Sequence, residues 1–449
     1  MSSLKRGTLH DIAISELSPH GIGLGLVDGR RVGVPQTVPG DLVRIRMISG
    51  SHGIKIGKIV EMLTPSSVRS ASICGHYPDC GGCQMIDIPY QRQLALKSDV
   101  FKSIFDKSIQ EIISPIIASE SSQFYRNKME FSFGTLPSGD LIIGLKRRGQ
   151  FDQVVPIHTC FLQSETSNQV IQFAQDYFRK HPLSVWNHHH FTGILRYLTI
   201  RESKSTSDMV VTVVVSESCQ EALLPFATAL SHHIPQVSSV IMAVNEGSSD
   251  TAFTLNYVPL IGTPLLTETL GHLRFQLSPL SFFQVNPRQA KLLYDLVRDA
   301  AQLTGTETVL DLYCGTGTIG LYLADKAKKV IGIEENAQAI EDATINAKLN
   351  SITNAEFLCG NVRHILKQMP PSDVDVVIVD PPRSGIVPKA LSRLLSINAP
   401  RLVYVSCNPT SFSENLPAIF EAGYRLISLQ PVDMFPNTLH VECVGLFEK

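Results

Sequence analysis

The sequence predicts an α/β protein. A doubly wound, mostly parallel sheet should fill the C-terminal part, preceded by a small β-barrel and a mixed α+β region. Three observations carry this. From about Leu277 onward, strand-length apolar runs alternate with helical stretches: "ETVLDLYCGTGTIGLYLA", "KKVIGIEEN", "AEFLCGN", "VDVVIVDPP", "RLVYVSC" and "HVECVGLFEK". The first of these runs opens into a glycine-rich turn. Residues 1–63, by contrast, hold only short alternating segments cut by Gly and Pro. The expected units are 1–63, 64–270 and 271–449. A helix near 91–119 is expected to pack on the last unit despite its early position.

Length and composition agree with several units. The chain has 449 residues, 43% hydrophobic and 18% charged, which is too long for one core and ordinary for a globular protein. The N-terminal "MSSLKRGTLHDIAISEL" lacks the unbroken apolar stretch of a signal peptide. Runs such as "MVVTVVV" are too short to cross a bilayer. A cytoplasmic protein that makes no membrane contact is therefore expected. Nine cysteines in such a chain do not make a disulfide scaffold; clustered ones read as metal ligands or catalytic groups.

In the N-terminal unit, "VDGRRVGVP" carries a turn at Asp28-Gly29, "GDLVRIRMI" alternates apolar residues with Arg44 and Arg46, and "IKIGKIVEML" reads as another strand. The net charge is only −2. Residues 1–70 nevertheless place Lys5, Arg6, Arg30, Arg31, Arg44, Arg46, Lys55, Lys58 and Arg69 against five acidic residues, a local excess suited to phosphates. The pattern resembles a TRAM domain, an OB-like RNA-binding module.

"VLDLYCGTGTIG" sets a strand before a Gly-rich turn and a helix, a Rossmann-like arrangement. Gly315 and Gly317 let the backbone approach a ligand closely. Glu334 ends the next strand, roughly 20 residues on, where an acid can accept both hydroxyls of an adenosine ribose. A dinucleotide site would show a third glycine, and Asp311 would repel a pyrophosphate. Asp311 suits the cationic end of S-adenosylmethionine. Asp380 ends the strand of "VDVVIVDPPRSG", at the edge where open α/β sheets bind ligands. Arg383 follows the two prolines where enzymes that methylate exocyclic amines carry an aromatic residue, which argues against that reaction.

Cys407, in "VYVSCNPTSF", ends the following strand at the same edge. Most buried cysteines are simple packing residues. A thiol beside a bound methyl donor can instead serve as a covalent catalyst. Carbon 5 of a pyrimidine is a poor nucleophile until a thiolate adds to carbon 6, and a base must then remove the carbon 5 proton. Glu442, in "FPNTLHVECVGLF", is placed to be that base.

The ordered set "FFQVN", "DLYCGTG", "IGIEEN", "DPPRSG", "SCNP" and "HVE" resembles the RNA 5-methyluridine methyltransferase family, of the kind acting on 23S ribosomal RNA. With the N-terminal unit, the likeness spans nearly the whole chain. It implies a Rossmann-like S-adenosylmethionine-dependent catalytic domain with Cys407 as nucleophile and Glu442 as base. It also implies that Gln284, Tyr313, Glu334, Asn361 and Asp380 line the S-adenosylmethionine site. Thr318 falls where some relatives have Asn, and Asn437 where the base motif often has His. The implied partner is structured RNA, ribosomal rather than transfer RNA, bound by a monomer.

Cys74, Cys80 and Cys83 form C-x5-C-x2-C, and Cys160 in "PIHTCFLQ" is the natural fourth thiolate. Spacing alone leaves zinc and iron–sulfur open; the resemblance implies a [4Fe–4S] cluster. A radical enzyme of the methylthiotransferase kind would show C-x3-C-x2-C and an open iron. A non-catalytic RNA-binding iron–sulfur protein would not need the pair Cys407 and Glu442. Cys219, Cys314, Cys359 and Cys443 are expected in the core, and "WNHHHF" at 186–191 in a solvated loop. In "FYRNKMEFSF", Tyr125, Arg126, Lys128 and Phe131 suit either single-stranded RNA or core packing.

Overall fold

The computed structural model describes residues 4–51, 54–254, 256–279, 281–369 and 373–449. Strands β1 (Leu9–Leu17), β2 (Gly23–Val27), β3 (Arg30–Val34), β4 (Leu42–Ser51) and β5 (Ile54–Thr64) close a five-stranded barrel in the order β1-β2-β3-β5-β4. Its interior is the apolar half of each alternation: Ile12, Ile14, Val32, Val34, Val43, Ile45 and Met47. The interleaved Arg30, Arg46, Lys55 and Lys58 remain exposed. Three other basic residues are committed elsewhere. Arg31 pairs with Glu16, Arg44 with Asp11 and Glu61, and Arg69 with buried Asp41 and Asp87.

Helix α1 (Tyr90–Ser103) and the short α2 (Lys107–Gln110) pack on the C-terminal unit. Phe101 and Phe105 join the core built around Phe412, and Ile113 and Ile117 bridge to the outer strand of its sheet. This segment covers an apolar face that the catalytic sheet would otherwise expose.

A mixed seven-stranded sheet follows. It holds β6 (Lys128–Thr135), β7 (Leu141–Arg147), β8 (Gln150–Pro156), β9 (Leu195–Glu202), β10 (Met209–Val215), β11 (Val237–Val244) and β12 (Tyr257–Ile261), in the order β12-β11-β10-β9-β6-β7-β8. Helices α3 (Glu165–Lys180) and α4 (Gln220–His233) cover one face, where Phe178 and Phe226 meet. Tyr125 and Phe131 are buried in this core. Their aromatic faces are therefore unavailable to RNA, and packing is the reading that holds.

After the hairpin β13 (Leu266–Leu270) and β14 (Leu273–Leu277) comes α5 (Pro287–Ala301). The doubly wound sheet then runs β15 (Thr308–Leu312), α6 (Thr318–Leu323), β16 (Lys329–Glu334), α7 (Ala337–Leu349), β17 (Ala355–Cys359), α8 (Val362–Leu366), β18 (Val376–Val379), α9 (Pro388–Ser396), β19 (Arg401–Ser406), α10 (Pro409–Glu421), β20 (Arg425–Val432) and β21 (Glu442–Glu448). Its order is β17-β16-β15-β18-β19-β21-β20, with only β21 antiparallel to its neighbours. The parallel strands read as unbroken Val/Ile/Leu runs because both faces are covered. Among the described residues, no helix is long and apolar enough to cross a membrane.

Candidate active site

Parallel strands deliver the residues after their carboxyl ends to one edge of the sheet. That edge receives Tyr313 after β15, Glu334 at the end of β16, Asn361 after β17, Asp380 after β18 and Cys407 after β19. Strand β21 runs the opposite way, with Ser406 paired to Cys443, so it begins where β19 ends and presents Glu442 at the same edge. Gln284 enters from the loop before α5. All seven line a single cavity of about 920 Å³, at the upper end of the volumes usual for ligand sites.

The glycine turn shapes one end. Gly315 and Gly317 adopt φ of 53° and 73°, which side chains rarely tolerate. A Cβ on Gly317 would strike the Phe357 ring, whereas one on Gly315 would meet nothing; the turn is packed on its protein side and open at Gly315. Gly315 N–H donates to Glu334 Oε2 at 3.3 Å, which ties the turn to the acid of the next strand. Asp311 accepts from Gly320 N–H through Oδ2 at 2.9 Å, but its buried Oδ1 has no hydrogen-bond partner, nor has the Thr316 hydroxyl. Orphaned polar atoms in a buried cavity mark the place of a ligand.

Cys407 and Glu442 stand at the other end. Glu442 is 3% exposed and its Oε2 is unpartnered. Burial, reinforced by Asp380, pushes its carboxyl up to about 8. Burial alone pushes half-buried Asp380 to about 7; for Asp311, burial outweighs the Gly320 N–H bond and the value is again about 7. Three carboxyls destabilised as anions favour a cation among them. The Cys407 thiol is pushed up to about 11 by burial, then by Glu442 and Asp380, with Arg383 acting the other way. Arg383 Nη2 donates to His440 Nδ1 at 3.1 Å. Burial, with Arg383 second, holds that imidazole down to about 4, so it is a neutral acceptor near pH 7. Asn408 caps α10 through Thr410 N–H and donates to Arg383 O, which fixes the turn carrying the thiol.

The loop 433–441 that leads into Glu442 is held from many directions. Lys97, on α1, places Nζ 2.5 Å from Asp433 Oδ1 and also donates to Phe435 O and His440 O. Tyr90 O–H donates to Asp433 Oδ2. Gln93 exchanges two hydrogen bonds with Asn437 and reaches Met85 O and Ile88 O. Asn437 O accepts from Gln84 N–H and Met85 N–H. Asn437, where His was the alternative, is thus a hydrogen-bonded hinge at φ 66°. Apart from the local bonds of Gln93 to Met85 and Ile88, these partners have no local sequence signal, because they lie more than 300 residues apart. Arg126, Tyr294 and Phe435 also line the cavity and were not anticipated there. Tyr294 O–H shares a hydrogen bond with Thr318 Oγ1, which places Thr318 in the cavity wall.

Cys74, Cys80, Cys83 and Cys160 line a different cavity, in the central region. Burial raises the thiols of Cys80, Cys83 and Cys160. Arg148 donates to the carbonyls of Cys80 and Cys83. Among the described residues, no group of three or more His, Cys, Asp or Glu is arranged to hold a metal ion. Of the other cysteines, Cys314 and Cys443 are buried and Cys219 half-buried, but Cys359 is exposed. It ends the edge strand β17, where no neighbour covers that side. His189 and His190 are exposed in a turn, but His188 is half-buried against Lys146 and Asp250 and Trp186 is buried under Arg196, so the stretch is only partly the solvated loop expected.

Residues 89–449 match the family model described as tRNA (uracil-5-)-methyltransferase. The chain belongs to that family. It is an RNA uracil-5 methyltransferase. An uncharacterized RNA methyltransferase of Bacillus cereus is 34% identical over 98% of this chain and 96% of its own length. One from Clostridium tetani is 34% identical over 100% and 99%. Among solved structures, the Pyrococcus abyssi tRNA (uracil-54, C5)-methyltransferase in complex with S-adenosyl-L-homocysteine superimposes with a TM-score of 0.77. It is 27% identical and covers 98% of this chain and 100% of its own.

Proposed function

We propose that the chain transfers a methyl group from S-adenosylmethionine to carbon 5 of a uridine in structured RNA through a covalent adduct on Cys407. The observation that carries this is the meeting of Cys407 and Glu442 in the cavity that also holds Gln284, Tyr313, Glu334, Asn361 and Asp380. S-adenosylmethionine, when bound, supplies an electrophilic methyl group. Glu334 would accept from its ribose hydroxyls, Tyr313 and Asn361 would line its adenosine end, and Asp311 and Asp380 would face its cationic end. The Cys407 thiolate adds to carbon 6 of the flipped base. Arg383 opposes the burial that disfavours that thiolate. After methylation at carbon 5, the Glu442 carboxylate removes the carbon 5 proton; the carbon–sulfur bond then breaks and frees the thiolate. Its unpartnered, buried oxygen suits a base that must be strong and wait for its substrate.

We further propose that Cys74, Cys80, Cys83 and Cys160 hold a [4Fe–4S] cluster. The donor set fits. Three thiols of one loop and the distant Cys160 line one apolar cavity, beside Arg148 for the cluster's negative charge. Four thiols would suit zinc as well; the likeness to enzymes that carry the same cysteine set favours the cluster. The role we give it is to hold the cysteine loop against Asn437. The exposed basic residues of the TRAM-like barrel would bind the surrounding phosphates.

Ribosomal RNA is the substrate we favour, because the likeness that carries the cysteine set is to enzymes of that kind. Transfer RNA is the second reading, favoured by the superposition on the archaeal tRNA enzyme. Incubating the protein with labelled donor and, separately, 23S rRNA or tRNA transcripts decides it. Nucleoside analysis should find 5-methyluridine in one class only. Methyl label on cytidine, or on neither class, would overturn the proposal.

A further inference from the structure

Cys407 and Arg383 line two cavities. One is the cavity described above. The other, of about 420 Å³, shares only those two residues with it and touches neither Glu334, Asn361 nor Asp311. Most of its wall comes from four parts of the chain. The first turn of α10 supplies Asn408–Ser411, α1 supplies Val100 and Ile104, the loop before β21 supplies Leu439 and His440, and the barrel supplies Pro19 and His20. The barrel wall is fixed in place: Gly21 lies so close to Leu439 that a Cβ there would collide with it.

The two cavities share Cys407 and Arg383, so a strand whose base is bonded to Cys407 can continue from one into the other there. The chemistry there is graded. Arg383 and the N-terminus of α10, a thirteen-residue helix, present positive charge at the entrance. Val100, Ile104 and Leu439 supply apolar lining. Glu414 lies among the lining residues, where its carboxylate would repel a phosphate but can accept from a base amino group or a ribose hydroxyl.

We propose that this cavity is a nucleotide subsite. It holds the residue of the RNA strand adjacent to the target uridine, with the intervening phosphodiester at Arg383 and the first turn of α10, and the base against Val100, Ile104 and Leu439. The inference rests on the reading that the substrate is a uridine in RNA attacked by Cys407. It adds that one neighbour is recognised as a whole nucleotide, backbone and base together.

The test is equilibrium binding of substrate RNAs to the Cys407→Ala protein, which separates the subsite from the chemistry. The RNAs are the intact strand and two strands abasic at the nucleotide before or after the target. The missing base forfeits its apolar burial against Val100, Ile104 and Leu439, so one abasic RNA should bind about 5- to 50-fold more weakly. Adding Ser384→Trp, at an exposed lining residue, should weaken the intact RNA and erase the abasic penalty, with S-adenosylmethionine affinity unchanged. Equal binding of all three RNAs, or an abasic penalty that survives Ser384→Trp, would overturn the proposal. If the penalty and its loss appear while no covalent adduct ever forms on Cys407, the subsite stands and the thiolate mechanism falls.

Discussion

Lys97 Nζ lies 2.5 Å from Asp433 Oδ1, with both side chains sealed from solvent. The pair joins a helix near the start of the catalytic segment to the loop that ends in Glu442. Burying two charges is costly and rewards only good geometry. Here two further carbonyls on Lys97 and the Tyr90 hydroxyl on Asp433 complete the set. Lys97→Met leaves Asp433 unpaired and should cost about 3–5 kcal/mol of stability. Lys97→Met with Asp433→Leu should recover much of that loss. Denaturant melts of the three variants check this.

Glu442→Gln keeps the shape of the base but not its proton affinity. Adduct formation and methylation should proceed while release fails. Turnover should fall about 10²- to 10⁴-fold, and a protein–RNA adduct should accumulate on ordinary uridine RNA. A denaturing gel of single-turnover mixtures shows it. Cys407→Ala should give neither adduct nor product.

The free protein should lose stability as pH rises. Asp311, Asp380 and Glu442 have folded-state values near 7, 7 and 8, above the ordinary carboxyl range. Between about pH 4 and 8, the folded state therefore binds more protons than the unfolded one, and stability falls with pH across that window. Glu442→Gln should flatten the upper part of the curve and raise the melting temperature at pH 8. A cationic ligand such as S-adenosylmethionine should bind more tightly, with proton release, as pH rises through 7.

Glu334→Gln should weaken S-adenosylmethionine about 10- to 100-fold, the worth of hydrogen bonds to a charged acceptor, and leave RNA affinity unchanged. Calorimetry with each ligand separates the two. Cys160→Ser should lower bound iron and the visible absorbance of the purified protein.

The parallel sheet was legible because each strand is an apolar run closed by a chemically distinctive residue. Topology alone then brings Glu334, Asp380 and Cys407 to one edge. Glu442 was legible because β21 begins at the acid itself. Lys97, Gln93 and Asn437 were not, since their partners come from opposite ends of the catalytic segment and leave no local period. Arg126 was read as a candidate RNA contact or packing residue and not as part of the cavity wall, because sequence shows charge but not the direction in which a loop turns its side chain. Arg69 misled in the same way: it adds to the basic count, yet is consumed by Asp41 and Asp87.

The central claim is that Cys407 bonds to the target uridine and Glu442 frees it. The direct measurement uses RNA carrying 5-fluorouridine at the target, with S-adenosylmethionine. Fluorine cannot leave as a proton, so the account predicts a methylated protein–RNA adduct that survives denaturation and maps to Cys407. The absence of any adduct, from protein that binds both the RNA and the methyl donor, would contradict it and return Cys407 to a packing role.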